Sequence, residues 1–138
     1  MTEVRIASLQ NPRVKAWRAL KETKGRAAQR LFLAEGDHLT GEALAAGAAR
    51  TLLVGESAQE KYAGHLRAAA RQSIETALLA DHVMEALCDA RTPQGVAAVC
   101  AHREDHLRAG GLADPVALHF LDSLGPIDRS MSFRSRSA

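Results

Sequence analysis

The stretch TLLVGESAQE, residues 51–60, contains the unit from which the fold is built. Its first part is an apolar run closed by Gly55, which is typical of a strand buried on both faces of a sheet. Ser57 and Glu60 then stand three residues apart in a capping-box pattern, which predicts a helix through about residue 72. A buried strand followed directly by a helix is the repeating unit of an α/β protein.

The same alternation continues on both sides of this stretch. Helical patterns follow other apolar runs, one capped by Asp37 and closed by Gly47, and another beginning at Asp81. We therefore expect an α/β fold, a three-layer α/β/α sandwich around a largely parallel sheet. The further predicted strands are residues 31–34, 74–79, 96–100 and 116–121.

Near the N-terminus, the stretch NPRVKAWRALKETKG, residues 11–25, has marked helix ends. Asn11 is a favourable N-cap, and Pro12 fits the first helical position. Gly25 predicts the end of the helix. Ala16, Trp17, Ala19 and Leu20 share one apolar face, and Lys15, Arg18 and Lys21 lie on the other, with Val14 falling among the charges. We expect Trp17 to pack in the core, with stacking on a base as the alternative.

The composition bounds the class of protein. The 138 residues are 46% apolar and 4% aromatic, so one domain with a core of Ala, Leu and Val is expected. No apolar run approaches the ~20 residues of a membrane span, and the first ten residues lack the apolar core of a secretory signal. Cys88 and Cys100 have no metal-ligand spacing and predict two free thiols in a reducing cytoplasm, although a disulfide between them stays open.

The charge is divided unevenly along the chain, although the net charge is only +2. Residues 1–30 carry eight basic and two acidic side chains, a balance of +6, and the other 108 residues carry a balance of −4. A basic N-terminal segment on a mildly acidic body indicates a polyanionic partner.

Three short motifs follow one another over residues 4–102. They are Ile6, Ser8, Asn11, Pro12, Val14 and Lys15 followed by Arg26; Phe32, Leu33, Glu35 and Gly36 followed by Glu42, Ala43 and Leu44; and Thr92, Pro93, Gln94, Gly95, Val96, Ala97 and Val99. In order and spacing they resemble the N-terminal substrate-binding domain of the SpoU/TrmH family of RNA 2′-O-ribose methyltransferases. The resemblance implies a ribosomal-protein-like α/β/α domain that grips structured ribosomal or transfer RNA.

In that family a knotted catalytic domain, which binds S-adenosylmethionine, follows the first domain. Its opening strand ends in Leu-Asp, as Leu121 and Asp122 do here, but the motif after it is degraded and Arg134 is not expected to act in catalysis. A truncated gene, a frame change or an excised fragment would each produce this pattern. We expect a substrate-binding domain at residues 1–102, a linker at 103–115, and at 116–138 a remnant of the methyltransferase domain with a flexible tail.

These observations predict an RNA-binding domain of an S-adenosylmethionine-dependent 2′-O-methyltransferase. It is expected to be cytoplasmic and monomeric and to bind structured RNA. By itself it is expected to bind no cofactor or metal ion and to associate with no membrane. Asn11 can instead serve only as a helix cap, and Gln94 only in a turn that leads into a strand. The predicted RNA contacts are Asn11, Arg13, Lys15, Arg18, Lys21, Lys24, Arg26 and Arg30, with Glu35, Gly36 and Gln94 as secondary candidates.

Two other interpretations stay open. The chain can be a piece of an intact methyltransferase, which the downstream reading frame would decide. It can also be a protein-interaction module that docks partners through its Ala-rich helices and is indifferent to RNA. His102 and His106 stand four apart, as metal ligands on a helix do, but no third ligand lies near them in the sequence.

Overall fold

The computed structural model describes residues 3–88 and 94–101. The strands are β1 (Glu3–Ile6), β2 (Leu31–Glu35), β3 (Ala49–Gly55), β4 (Glu75–Leu79) and β5 (Val96–Ala101). The helices are α1 (Pro12–Ala19), α2 (Thr23–Gln29), α3 (Asp37–Ala46), α4 (Ala63–Arg71) and α5 (Asp81–Leu87), with a 3-10 turn at Glu56–Ala58. In this part of the chain no helix has the length and apolar character needed to cross a membrane.

The five strands form one sheet in the order β1-β4-β3-β5-β2. β1, β4 and β3 pair in parallel, whereas β5 is antiparallel to both β3 and β2. The predicted three-layer α/β/α sandwich is confirmed, but the expectation of a largely parallel sheet is wrong for the two pairings of β5. Every residue of β5 is buried, so its apolar run carries no sequence mark of strand direction.

Helices cover both faces of the sheet. Successive residues of a strand point to opposite faces, and in the central strand β3 the fully buried Leu52 and Val54 meet α3 and α4. Leu53, equally buried, belongs to the second core with α1 and α5. Trp17 anchors α1 in this second core, and Tyr62, just before α4, lies in the first.

The edge strand β1 was not among the predicted strands. Exposed Glu3 and Arg5 alternate there with half-buried Val4 and buried Ile6, which is the period of a strand with one covered face. Four residues are too few for this alternation to stand out in the sequence. Parallel pairing with β4 supplies the rest of its stability.

The basic N-terminal segment folds into two helices, where the sequence predicts one. α1 ends at Ala19 with Leu20 as its cap, and Glu22 is extended before α2 begins. Gly25 lies inside α2, where a Cβ atom would stand 1.9 Å from the carbonyl oxygen of Ala19. The predicted helix end at Gly25 is therefore wrong, because this glycine instead lets α2 fold back against the end of α1.

Two predicted helix starts are displaced. Gly36, with a φ of 93°, is the N-cap of α3, and Asp37 is the first helical residue rather than the cap. The capping box at Ser57 does not form, because the backbone N–H of Ser57 donates to Oδ1 of Asp81 at 3.1 Å. The chain makes a 3-10 turn there, and α4 begins only after it. The predicted end of α3 at Gly47 is confirmed, and Gly47 adopts the left-handed conformation there.

Candidate nucleic-acid interface

The start and the buried face of α1 determine which of its side chains reach solvent. Asn11 caps the helix as predicted, since its Oδ1 accepts from the N–H of Arg13 at 2.8 Å. Val14, Trp17 and Leu20 are each at most 5% exposed and pack in the core shared with α5. Their spacing of three residues makes one stripe along the helix, and the opposite stripe faces solvent.

This buried stripe differs from the predicted one. Val14 is fully buried, although the sequence places it among the charges, and Ala19 is exposed, although the sequence places it on the apolar face. Burying a valine removes more apolar area from water than burying an alanine, so the larger side chain takes the core position. The prediction that Trp17 packs in the core is confirmed.

The exposed stripe of α1 and the start of α2 carry cations. Lys15, Arg18 and Lys24 are exposed, and their side chains have no hydrogen bond or ion pair with another described residue. Lys21 is half-buried, and its Nζ donates to the carbonyl oxygen of Ala86 in the last turn of α5 at 3.2 Å. We call Lys15, Arg18, Lys21 and Lys24 the basic corner.

Arg13 is bound within the protein. Its guanidinium forms a two-point ion pair with Glu75 at the start of β4, with Nη1 2.8 Å from Oε2. It also stands over the ring of Trp17, 5.0 Å from the centroid. The hydrogen bond with Arg13 lowers the pKa of Glu75, and the same bond raises the pKa of Arg13. Arg13 thus ties α1 to the sheet.

Arg26 and Gln29 bond across the junction between the two helices, and Arg30 ends α2. Nη1 of Arg26 donates to the carbonyl oxygen of Leu20 at 3.1 Å, and burial lowers the pKa of Arg26. Arg30 ends α2 in the left-handed conformation, and its N–H donates to the carbonyl oxygen of Arg26 at 2.7 Å. Nε2 of Gln29 reaches back to the carbonyl oxygen of Ala16 at 2.7 Å. The bonds of Arg26 and Gln29 hold α2 against α1.

A shallow, open depression of about 560 Å³ lies at this junction, lined by Lys15, Arg18, Ala19, Lys21 and Glu22. Three of these five side chains are cationic. Small-molecule sites usually enclose most of their ligand, whereas an open depression suits an extended ligand that passes across the surface. Cations presented to solvent in this way can bind phosphate groups.

The secondary candidates Glu35, Gly36 and Gln94 meet at the end of β2. The N–H of Asp37 donates to Oε1 of Gln94 at 2.7 Å, and a Cβ atom on Gly36 would stand 3.0 Å from the same oxygen. The side chain of Gln94, which precedes β5, therefore accepts a hydrogen bond from the first turn of α3. The five strand residues Leu31–Glu35 lie between Arg30 and Gly36, which places these two about 20 Å apart at strand spacing, so the structure forms two separate groups rather than one site.

Two acidic residues near the basic corner were not singled out in the sequence. Glu75 lies 62 residues from Arg13 along the chain, and nothing local pairs them before the sheet has formed. Glu22 could have been singled out, because it is the sole acidic residue between residues 4 and 34. It was used only as one negative charge in the count for residues 1–30.

The described residues contain no group of three or more His, Cys, Asp or Glu side chains that could hold a metal ion. Neither Cys88 nor Cys100 forms a disulfide. The linker, the strand predicted at 116–121 and the tail with Arg134 lie outside the described residues, as do Thr92, Pro93, His102 and His106.

Comparison with known protein sequences gives a consistent set of relatives. A profile of the family described as the MRM3-like substrate binding domain matches residues 11–98. The 23S rRNA (guanosine(2553)-2′-O)-methyltransferase RlmP of Bacillus subtilis is 32% identical over 103 residues. The alignment covers 74% of this chain and 39% of that protein.

Solved structures give the same result for the fold. An rRNA methyltransferase from Sinorhizobium meliloti superposes with a TM-score of 0.63 at 26% identity, over 75% of this chain and 38% of that one. An RNA 2′-O ribose methyltransferase gives a TM-score of 0.59 at 31% identity, over 73% and 38%. The chain thus spans about two fifths of the length of the relatives that it matches.

Proposed function

The chain belongs to the family described as the MRM3-like substrate binding domain, and from this premise we propose that it binds RNA for a ribosomal RNA 2′-O-methyltransferase. The basic corner makes the main contact. The observation that carries this proposal is that Lys15, Arg18 and Lys24 are exposed on one side of the fold and that their side chains have no partner among the described residues. The names of the relatives, which are rRNA and RNA methyltransferases, support RNA as the polyanion.

Phosphate groups are the ligands that such a surface binds best. Lys and Arg neutralise phosphates and release their counterions, and this gives affinity and orientation with little sequence information. Arg13 and Arg26 contribute indirectly, because their bonds to Glu75 and Leu20 set the positions of α1 and α2. The domain would hold structured RNA while sequence or nucleotide selection comes from other contacts, including Asn11, Arg30 and the separate group at Glu35, Gly36 and Gln94.

The methyl donor belongs to another part of the parent enzyme in this proposal. An AdoMet-bound rRNA methyltransferase from Sinorhizobium meliloti is similar to this chain over 37% of its own length. We assign S-adenosylmethionine and the methyl transfer to the parent and RNA binding to residues 1–102. Residues 103–115 then form a linker and 116–138 the first part of the next domain with a tail, and the domain itself is a monomer.

Fluorescence anisotropy with a labelled 23S rRNA hairpin tests the proposal. The hairpin would contain the nucleotide that corresponds to guanosine 2553, the target named for the relative from Bacillus subtilis. The triple variant Lys15→Gln/Arg18→Gln/Lys24→Gln removes three exposed charges and leaves the core intact. We expect it to bind the hairpin at least about tenfold more weakly at low salt, since three phosphate contacts are lost.

A matched control removes cations from the opposite face of the sheet. Arg67 and Arg71 are exposed on α4, so Arg67→Gln/Arg71→Gln changes the net charge without touching the basic corner. We expect a change of less than about twofold for this control. Equal losses in the two variants, or no binding by the unchanged protein at low salt, would contradict the proposal.

A further inference from the structure

One carboxylate interrupts the basic corner. Glu22 lines the same depression of about 560 Å³ as Lys15, Arg18 and Lys21. Its side chain is exposed, does not cap α2, and makes no hydrogen bond or ion pair with another described residue. The fold gains no visible contact from this carboxylate, while its charge opposes the binding of any polyanion at this place.

The backbone of Glu22 is held in place. Its N–H donates to the carbonyl oxygen of Ala19 at 3.2 Å, and its own carbonyl oxygen accepts from the N–H of Arg26 at 3.0 Å. Gly25 lets α2 approach Ala19 closely, and Arg26 caps the end of α1. The carboxylate is therefore presented from a fixed junction between two helices and not from a loose loop, which favours a defined contact.

The chemistry of the depression restricts what Glu22 can bind. A carboxylate accepts hydrogen bonds, donates none, and repels phosphate oxygens. The donor that alternates with phosphate along a nucleic-acid backbone is the ribose 2′-hydroxyl, which RNA has and DNA lacks. Cations that share one depression with a single acceptor therefore match the alternation of phosphate and 2′-hydroxyl along an RNA strand.

We infer that Glu22 is a specificity-determining residue, which accepts a hydrogen bond from a ribose 2′-hydroxyl while Lys15, Arg18 and Lys21 contact the adjacent phosphates. The inference rests on the proposed function and adds to it the reason that the basic corner prefers RNA to DNA. Repulsion at Glu22 weakens binding to both nucleic acids, and the 2′-hydroxyl compensates for that repulsion in RNA alone.

The test uses one hairpin sequence in three chemistries: RNA, 2′-fluoro RNA and DNA. The 2′-fluoro strand keeps the sugar pucker of RNA but cannot donate a hydrogen bond, so it separates the hydroxyl from the helix shape. By anisotropy at one fixed low salt, we expect the unchanged protein to bind RNA about tenfold more tightly than 2′-fluoro RNA, as for one hydrogen bond to a charged group. Glu22→Ala should bind the two equally, and should bind 2′-fluoro RNA and DNA roughly twofold more tightly than before.

Two further variants make the result specific. Glu22→Gln keeps an acceptor oxygen without the charge, so it should retain roughly a threefold preference for RNA over 2′-fluoro RNA. Glu60→Ala removes an exposed acidic side chain near α4, on the opposite face, and should leave the tenfold preference unchanged. Circular dichroism of each variant confirms that the fold is kept.

The outcomes separate this inference from the proposed function. RNA binding with equal affinity for RNA and 2′-fluoro RNA would overturn the role of Glu22 and leave the proposed function standing. A tenfold preference that survives in Glu22→Ala, or one that follows the base sequence of the hairpin and not its sugar, would also overturn it. No RNA binding at all would instead contradict the proposed function.

Discussion

The two helical layers pack on the same sheet through apolar faces of the same kind, yet their outer charges differ. Residues 12–29, which include α1 and α2, carry six basic side chains and one acidic one, and α5 on the same face adds the acidic Asp81 and Glu85. α3 and α4 together carry two basic and two acidic side chains, histidines apart. Burial of apolar residues positions both layers, so the outward-facing charges are left to determine what each layer binds.

The polar side chains of the two layers also differ in what they contact. In the α3–α4 layer, Nε2 of His65 lies 2.7 Å from Oδ1 of Asp37, and His38 lies 3.0 Å from Glu42. In the α1–α2 layer, Lys15 and Arg18 have no such partner among the described residues. The carboxylates of α3 are therefore paired with histidines, although Arg67 and Arg71 of α4 stay exposed, whereas Lys15, Arg18 and Lys21 of the other layer line one depression that a ligand can reach.

The largest expected effect breaks the junction that holds this row together. In Gly25→Ala the new Cβ would stand 1.9 Å from the carbonyl oxygen of Ala19, so α2 must move away from α1. We expect a loss of about 3 kcal/mol in the free energy of unfolding, as for severe overpacking, together with weaker RNA binding. Urea unfolding followed by circular dichroism measures the first, and anisotropy the second.

Gly64 is the matched control on the other layer. A Cβ atom there would meet only Nη2 of Arg67, at 3.9 Å, within the helix α4. Gly64→Ala should raise the free energy of unfolding by about 0.5 kcal/mol or leave it unchanged, because alanine favours a helix. Equal stability of the two variants would show that the close approach of α2 to α1 does not matter.

A smaller effect concerns the ion pair that ties α1 to the sheet. Glu75→Gln should cost about 1 kcal/mol of stability, because Arg13 loses a two-point ion pair that is partly exposed to solvent. The pKa of Glu75 is lowered in the folded state, chiefly by its hydrogen bond from Arg13. Its stabilising effect is therefore complete above the ordinary glutamate pKa of about 4.3 and is lost as the pH falls through the lowered value.

The pH dependence gives this prediction its own control. Below the lowered pKa of Glu75, the variant and the unchanged protein should unfold with the same free energy, since the carboxyl group is then protonated in both states. A constant difference between them from pH 2 to pH 7 would mean that the loss comes from packing and not from the ion pair.

The smallest expected effect is a difference in thiol reactivity between Cys100, in the core under α3 and α4, and Cys88, at the border of the other core. Cys100 is fully buried in the core with α3 and α4, and burial raises its pKa to about 12. Cys88 packs at the border of the other core and is half-buried. We expect a thiol reagent at pH 8 to label Cys88 alone in the folded protein and Cys100 only on unfolding, as followed by intact mass. Rapid labelling of both would contradict the burial of Cys100.

The apolar runs made most of the fold predictable. Strands such as β3 and β5 are buried on both faces, and a continuous apolar run reports that directly. The break between α1 and α2 was not predictable, because nothing before Gly25 interrupts the helical pattern and only contact with Ala19 explains it. The direction of β5 and the short strand β1 likewise depend on pairings with distant strands.

The candidate site likewise has features that the local sequence predicts and features that it does not. Local rules predicted the Asn11 cap and the cationic face of α1, because both depend on neighbours a few residues away. They did not reveal that Arg13 is bound to Glu75, since a tertiary contact decides that, and the position of Glu22 among the cations, although local, was counted only as one negative charge. Charge counting in the sequence therefore overstated the number of cations available to a ligand.

The salt dependence of RNA binding tests the central claim most directly. Each phosphate contact contributes about −0.7 to −0.9 to the slope of log affinity against log salt concentration. With the four cations of the basic corner engaged, we expect a slope of about −3 for the unchanged protein and about −1 for Lys15→Gln/Arg18→Gln/Lys24→Gln. The same slope for both proteins would contradict the account, because the phosphates would then be bound elsewhere.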